Sequence, residues 1–290
     1  MIHIRPLVKL DEMRPAVELQ RIYWGTDLES VVPGHMLYSI VNAGGHVLGA
    51  YDGDRLIGVL IGQVALNPDV NLPLSDRLHI ASKRMVVLPE YRSHGIGARL
   101  KLAQRQSAIQ QGIGLVTWTF DSLLSINAYL NIRKLRGICR LYLLDYYGTD
   151  DAGGLARFGS SDRLLVEWHV SAPAVVKVLD NGYPLSSWDD YVRAAVPIVN
   201  PATCNEYDVL TPSTEWSVWA DQDSLLVEIP SHYEDMVIAD PDVARAWQTH
   251  IRDGFTRLFN NGYVVTNFIH TRETGIERSF YVLSLNLPSS

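Results

Sequence analysis

The stretch Val86-Val87-Leu88-Pro89-Glu90-Tyr91-Arg92-Ser93-His94-Gly95-Ile96-Gly97-Ala98-Arg99-Leu100 decides how this chain reads. An apolar run stops at a proline, a short polar turn ends in Gly-x-Gly, and a helical pattern starts at once. The first turn of a helix leaves N–H donors without partners and a partial positive charge, so this arrangement suits a phosphate. Glycine at 95 and 97 lets the main chain approach a diphosphate with no side chain between. Gly-x-Gly alone also serves an ordinary tight turn, so the surrounding pattern has to choose. Two other phosphate loops do not fit. No Gly-Lys-Ser/Thr is present for a nucleoside-triphosphate loop. The dinucleotide fingerprint needs three glycines after the first strand, whereas here two glycines follow the fourth predicted strand.

Working outward, residues 2–7 alternate as a half-buried strand, and residues 10–24 repeat apolar side chains at helical spacing. A second helix is expected after Pro33, ending near Gly44-Gly45. Two apolar runs, 46–51 and 55–66, flank Asp52-Gly53-Asp54, a hairpin signal because glycine accepts the positive φ of a tight turn. A strand over 78–88, a helix over 96–111, a strand over 113–120, a helix over 122–136 and a strand over 138–146 follow. This order predicts an α/β chain of the α+β type, with a mixed, mostly antiparallel sheet flanked by helices. In the second half, 164–170, 175–179, 225–229, 263–269 and 280–285 read as strands. Residues 240–260 read as a helix capped by Asp240, with Pro241 in its first turn and Gly262 beyond its end. The expected organisation is a first domain over 1–148, a glycine-bearing linker over 149–161, and a C-terminal α+β domain over 162–290 expected to pack on the first.

The chain has 290 residues, 47% of them hydrophobic and 20% charged, which supplies an ordinary core and excludes a disordered protein. No run reaches the ~18 apolar residues of a spanning helix, and residues 1–6 lack a signal-peptide layout, so no membrane partner is expected. Only Cys139 and Cys204 are present, which excludes a disulfide framework and a thiolate metal site and points to a reduced, cytoplasmic setting. Residues 1–148 carry a net +4 and residues 149–290 a net −11, so an anionic ligand belongs to the first half and nucleic acid to neither. His232, His250 and His270 have no acids at ligand spacing, so no metal is expected; Ser122, Ser125 and Cys139 lack the context of a nucleophile. The aromatic stripe Trp247, Phe255, Phe259 reads as core.

Val-x-Pro-Glu-Tyr followed by Arg-x-x-Gly-x-Gly resembles the acetyl-CoA-binding motif of the GNAT N-acetyltransferase superfamily, and the order of elements over 1–148 agrees with that fold. Further phrases resemble a group of two-part GNAT-like proteins: Trp118-Thr119-Phe120-Asp121, Asn127-Ala128, Arg133-Lys134-Leu135, Asp145-Tyr146-Tyr147-Gly148, residues 162–168, residues 243–247 and Gly262-Tyr263.

The resemblance implies that Arg92, Ser93, His94, Gly95, Ile96, Gly97 and Ala98 hold the pyrophosphate of acetyl-CoA or another acyl-CoA. The pantetheine arm would run beside Met85, Val86 and Val87, with the sheet distorted at Val87, and Asn127 and Asn131 would contact the donor. Arg92, Arg99, Arg133 and Lys134 are candidates for the 3′-phosphate, though each one individually reads more readily as part of a solvated basic helix face. The family's usual acid is a tyrosine, but its slot aligns with Asn131, which cannot give up a proton at neutral pH; Tyr129 is nearby but displaced. His79 and Lys83 on the fourth strand are candidates for the base, and Asp121, Asp145 and Tyr147 end strands where a substrate could reach. The implied activity is N-acylation of a small amine by direct transfer in a ternary complex, with a homodimer as a possible assembly. The rivals are a non-catalytic acyl-CoA sensor and an enzyme using another acyl donor.

Overall fold

The computed structural model describes residues 1–25, 30–148, 160–205, 209–217, 222–273 and 275–285. Its contacts divide the chain into two compact units. The first is built on Met1–Trp118 with His169–Ser171; the second contains the other described residues. The division therefore falls within a strand after Trp118, whereas composition placed it at 149–161, of which 149–159 lie outside the described residues. Residues 138–143 pair with strands from the C-terminal half, which explains why the second unit begins so early.

The first unit runs β1 (Ile2–Pro6), α1 (Leu10–Trp24), α2 (Gly34–Asn42), β2 (His46–Asp52), β3 (Arg55–Leu66), the single turn α3 (Leu74–Arg77), β4 (Leu78–Val87), α4 (Ile96–Gln110) and β5 (Leu115–Phe120). The last two residues of β5 belong to the second unit. Strand order is β1-β2-β3-β4-β5, antiparallel except for the parallel pair β4–β5. Gly53, at φ 57°, turns the β2–β3 hairpin as Asp-Gly predicts. At the start of α1, Glu12 accepts the N–H groups of Val8 and Lys9 and the Arg5 guanidinium, and these bonds pull its carboxyl down to about 2. On β3, Ile57, Val59, Leu60 and Ile61 are all buried, as expected of a strand covered on both faces. A Cβ at Gly58 would lie 3.4 Å from Leu100, and one at Gly62 would lie 2.7 Å from Gln104, so this face of β3 receives α4 at close range. Val59 and Ile61 alternate to the other face, and α1 and α2 pack against the sheet with Met13, Ala16, Leu19 and Leu37 buried.

The second unit contains β6 (Ile138–Leu143), β7 (Arg163–His169, whose last residue lies in the first unit), α6 (Pro173–Leu179), α7 (Trp188–Arg193), β8 (Thr203–Cys204), β9 (Leu210–Thr211), β10 (Ser224–Ile229), α8 (Tyr233–Ala239), α9 (Pro241–Asn260), β11 (Val264–Glu273) and β12 (Ile276–Ser284). It opens with α5 (Ser125–Ala128), which continues as a π-helical turn over Tyr129–Lys134. Its strands β7-β6-β11-β12-β10 are antiparallel, and β8–β9 form a separate ribbon. α9 buries Trp247, Ile251, Phe255 and Leu258, and Asp240 Oδ1 accepts the Val243 N–H at its start.

Two sequence expectations are corrected. Residues 175–179 form a helix, not a strand: Pro173 takes the first helical position, where its fixed φ suits a helix, and only Val175 is fully buried, so valine's strand preference has no sheet to act through. The single helix expected over 122–136 is a short α-helix followed by a π turn, in which Leu135 N donates to Leu130 O at 3.0 Å. Among the described residues, no helix is long and apolar enough to cross a membrane.

Candidate acyl-donor site

β4 pairs with β3 from Leu78↔Leu66 to Val87↔Gly58, but with β5 only at Ile80↔Val116 and Ala81↔Thr117. From Ser82 onward the two parallel strands form no further ladder pairs among the described residues, so β4 offers an edge inside the sheet. Such an edge can take an extended ligand as an added strand. The distortion expected at Val87 lies instead at Lys83, where β4 inserts one residue opposite the step from Ile61 to Gly62. Val87 stays in register with Gly58.

After β4, Pro89–Tyr91 make one turn of 3₁₀ helix, and the chain passes through Ser93 at φ 61° and Gly95 at φ 75°. Two left-handed residues separated by His94 curl the backbone, and a run of amides in such a curl forms a concave anion seat. Arg99 N donates to Gly95 O as the first bond of α4, so the N–H groups of Ile96, Gly97 and Ala98 come before the helical ladder starts. A Cβ on Gly95 would meet nothing within 4 Å; the glycine is needed for its backbone angle, not for clearance within the chain. His94 Nδ1 bonds the Arg92 carbonyl at 2.7 Å. Arg92 Nε donates to Val87 O at 3.3 Å with its guanidinium over Tyr23, which ties the turn back to the end of β4. Arg99 donates to Ile2 O at 2.8 Å.

The structure brings Met85, Val86 and Val87 together with residues 92–98 as strand edge and turn, in the first unit. His79 and Lys83 share β4 with them. His79 Nδ1 lies 3.1 Å from Arg77 O, and Lys83 is exposed at the bulge. Asn127, Tyr129 and Asn131 belong to the second unit. Asn131 is buried in the π turn with its carbonyl accepting from Gly137 N, and Tyr129 is exposed with Lys134 over its ring. Arg133 donates to Ser186 O at 2.7 Å, an engagement inside the second unit that the solvated-face reading did not foresee. Asp145 is paired with Arg252, which also bonds Asp162, and Tyr147 OH lies 3.3 Å from Thr119 Oγ1, so both hold the second unit together. Cys139 is buried, and burial pushes its thiol well up, which suits core packing and not nucleophilic chemistry. Among the described residues, no group of three or more His, Cys, Asp or Glu is placed to hold a metal ion.

Residues 15–131 match the model of the acetyltransferase (GNAT) family, and the chain continues beyond them into an additional C-terminal region. Among solved structures, it is similar to the ribosomal-protein-S18-alanine N-acetyltransferase of Escherichia coli, at 14% identity and a TM-score of 0.46, covering 59% of this chain and 96% of that one. An N-acetyltransferase of Staphylococcus aureus Mu50 is similar at 12% identity and a TM-score of 0.47, covering 59% and 99%. The NatC complex bound to Gag peptide and CoA is similar at 15% identity and a TM-score of 0.45, covering 58% and 98%. Comparison with curated proteins finds no match to this chain.

Two features escaped the sequence reading. One is the polar network around Lys101 in α4, a helix whose buried positions Ile96, Leu100, Gln104 and Ala108 recur every four residues. That spacing was the available signal that polar residues sit on an inward face. The other is the state of Asp121. Burial pushes its carboxyl up to about 6, against the pull of Arg163 at 3.9 Å and of the Leu123 N–H bonded to Oδ1. Because this folded value lies above the unfolded one, its contribution to stability is full below about pH 4 and is lost as pH rises through about 6. Asp121→Asn keeps an acceptor for Leu123 and is expected to flatten that limb, leaving the variant more stable than wild type at pH 8. Thermal unfolding at pH 4, 6 and 8 checks it; an unchanged pH slope contradicts it.

Proposed function

We propose that the protein is an acyl-CoA-dependent N-acyltransferase, with acetyl-CoA as the first donor to test, that acylates a small amine by direct transfer in a ternary complex. The observation that carries this reading is the end of the β4–β5 ladder at Ala81↔Thr117 beside a turn with Ser93 and Gly95 both left-handed. In this reading the amides of residues 93–98 hold the diphosphate, and the pantetheine arm pairs with the edge of β4 at Met85, Val86 and Val87. A main-chain N–H there polarises the thioester carbonyl for attack. The acceptor must arrive as a free amine, because an ammonium has no lone pair, so a base or a water relay is required; His79 and Lys83 are the candidates on β4. The acidic second half favours a cationic acceptor. Cys139 and Cys204, both unpaired, suit a reducing cytoplasm.

A second reading, a non-catalytic acyl-CoA sensor, is favoured by one residue: Asn131 at the slot of the family's tyrosine acid. Calorimetry with CoA and acetyl-CoA, followed by thiol release against a panel of small amines, separates the two. The expected result is binding of both, with amine-dependent release of free thiol. Binding without release supports the sensor, and no binding of either ligand overturns both readings.

A further inference from the structure

α4 carries a lysine where a helix covering a sheet normally carries an apolar side chain. Lys101 is 2% exposed. Its Nζ donates to Ser82 Oγ on β4 at 2.9 Å and to Gln104 Oε1 at 3.2 Å, and it lies 3.4 Å from the centre of the Trp118 ring on β5. Two oxygens and an aromatic face surround the tip. Gln104 passes the network on, its Nε2 lying 2.8 Å from His46 Nε2. Gly62 makes room for it, since a Cβ there would come within 2.3 Å of His46 Nε2. Burial pulls the Lys101 amine well below the usual lysine range and His46 to about 4. The lysine tip is thus held in a packed polar cluster and not free to swing aside.

Its position relative to the strands gives this cluster a role. Ser82 and Trp118 are the residues immediately after Ala81 and Thr117, the last pair that β4 and β5 form. Lys101 therefore bridges the two strands at the point where their ladder ends. We propose that Lys101, with Trp118, closes the inner end of the acyl channel and restricts the donor to short acyl groups. The proposal rests on the acyl-CoA reading above. An arm leaving the turn at 93–98 runs back along β4 from Val87 toward Ser82, a strand length of ~17 Å, so the acyl chain points at Lys101. A short acyl group stops before it. A longer chain has to push its methylenes against an amine that would lose hydrogen-bond partners with no water to replace them.

Calorimetry with CoA, acetyl-CoA and octanoyl-CoA on the full chain tests this without knowledge of the acceptor. The wild type is expected to bind CoA and acetyl-CoA alike and octanoyl-CoA about tenfold or more weakly. Lys101→Ala removes the stem and tip and is expected to close that gap about tenfold while leaving CoA affinity unchanged. Lys101→Met refills the volume without the hydrogen bonds and is expected to narrow the gap less than Lys101→Ala. A wild type that binds octanoyl-CoA as tightly as CoA overturns the proposal even if Lys101→Ala does not fold. So does a folded Lys101→Ala that binds CoA with the ranking unchanged. Loss of all CoA binding in the wild type overturns the acyl-CoA reading itself, a result distinct from either.

Discussion

Replacing Gly95 with glutamate is expected to abolish CoA binding while leaving the first unit folded. Gly95 sits at φ 75°, and a Cβ there would meet nothing within 4 Å, so the substitution creates no clash. Its cost to the fold is the left-handed backbone alone, about 1–2 kcal/mol for a residue with a Cβ. Its cost to binding is larger, because a carboxylate would stand where the turn's amides meet a diphosphate. Two like charges at ~4 Å in a partly solvated site repel by about 4 kcal/mol, which is about a thousandfold in affinity. Gly95→Ala carries the same backbone cost without the charge and should weaken binding far less. Calorimetry on the two variants, with thermal unfolding alongside, reads the difference. Glutamate at 95 with near-wild-type CoA affinity would remove the diphosphate from this turn.

The largest expected effect on stability lies in the second unit. Glu228 on β10 is 0% exposed, and its carboxylate is gripped by Arg278 from β12, with Nε on Oε1 at 2.6 Å and a terminal nitrogen on Oε2 at 2.5 Å. Ala202 N donates to Oε2 at 2.8 Å, and Asn200 Oδ1 accepts the Glu228 N–H at 2.7 Å. Arg278→Met would leave a fully buried carboxylate without its counter-ion, a loss of about 3–5 kcal/mol. Replacing both partners, as Glu228→Leu with Arg278→Met, should recover much of that loss, because the penalty belongs to the uncompensated charge and not to the absence of the pair. Denaturant unfolding of both variants measures it. Equal destabilisation by the single and double variants would show that the pair acts through packing instead.

The first unit was legible because its signals are local and agree with one another. Alternation in β1, the Asp-Gly turn between β2 and β3, and the proline and glycines between β4 and α4 each mark an element without knowledge of the rest. The second unit was less legible. The valines of 175–179 suggest a strand, but Pro173 and the lack of a sheet to join make a helix. The helices at Trp188–Arg193 and Tyr233–Ala239 are six and seven residues long, too short for an apolar period to show.

At the site, the turn was readable from Gly95 and Gly97, and the parting of β4 from β5 was expected from the resemblance. The position of the bulge was not, because it depends on how Ile61 and Gly62 pair with Arg84 and Ser82 and skip Lys83, a register invisible along one strand. Lys101 was hidden for a related reason. A lysine reads as solvated until Ser82, Gln104 and Trp118, which come from three separate elements, are seen to surround its tip.

The central claim is that main-chain donors of the turn entering α4 hold the diphosphate of an acyl-CoA. Titrating isotope-labelled protein with CoA and following the backbone amide resonances tests it most directly. The predicted result is saturable binding with the largest shifts at Ser93, His94, Gly95, Ile96, Gly97 and Ala98, followed by smaller ones along Met85–Val87. Saturable CoA binding that leaves those six amides unmoved, or no binding at all, would contradict it.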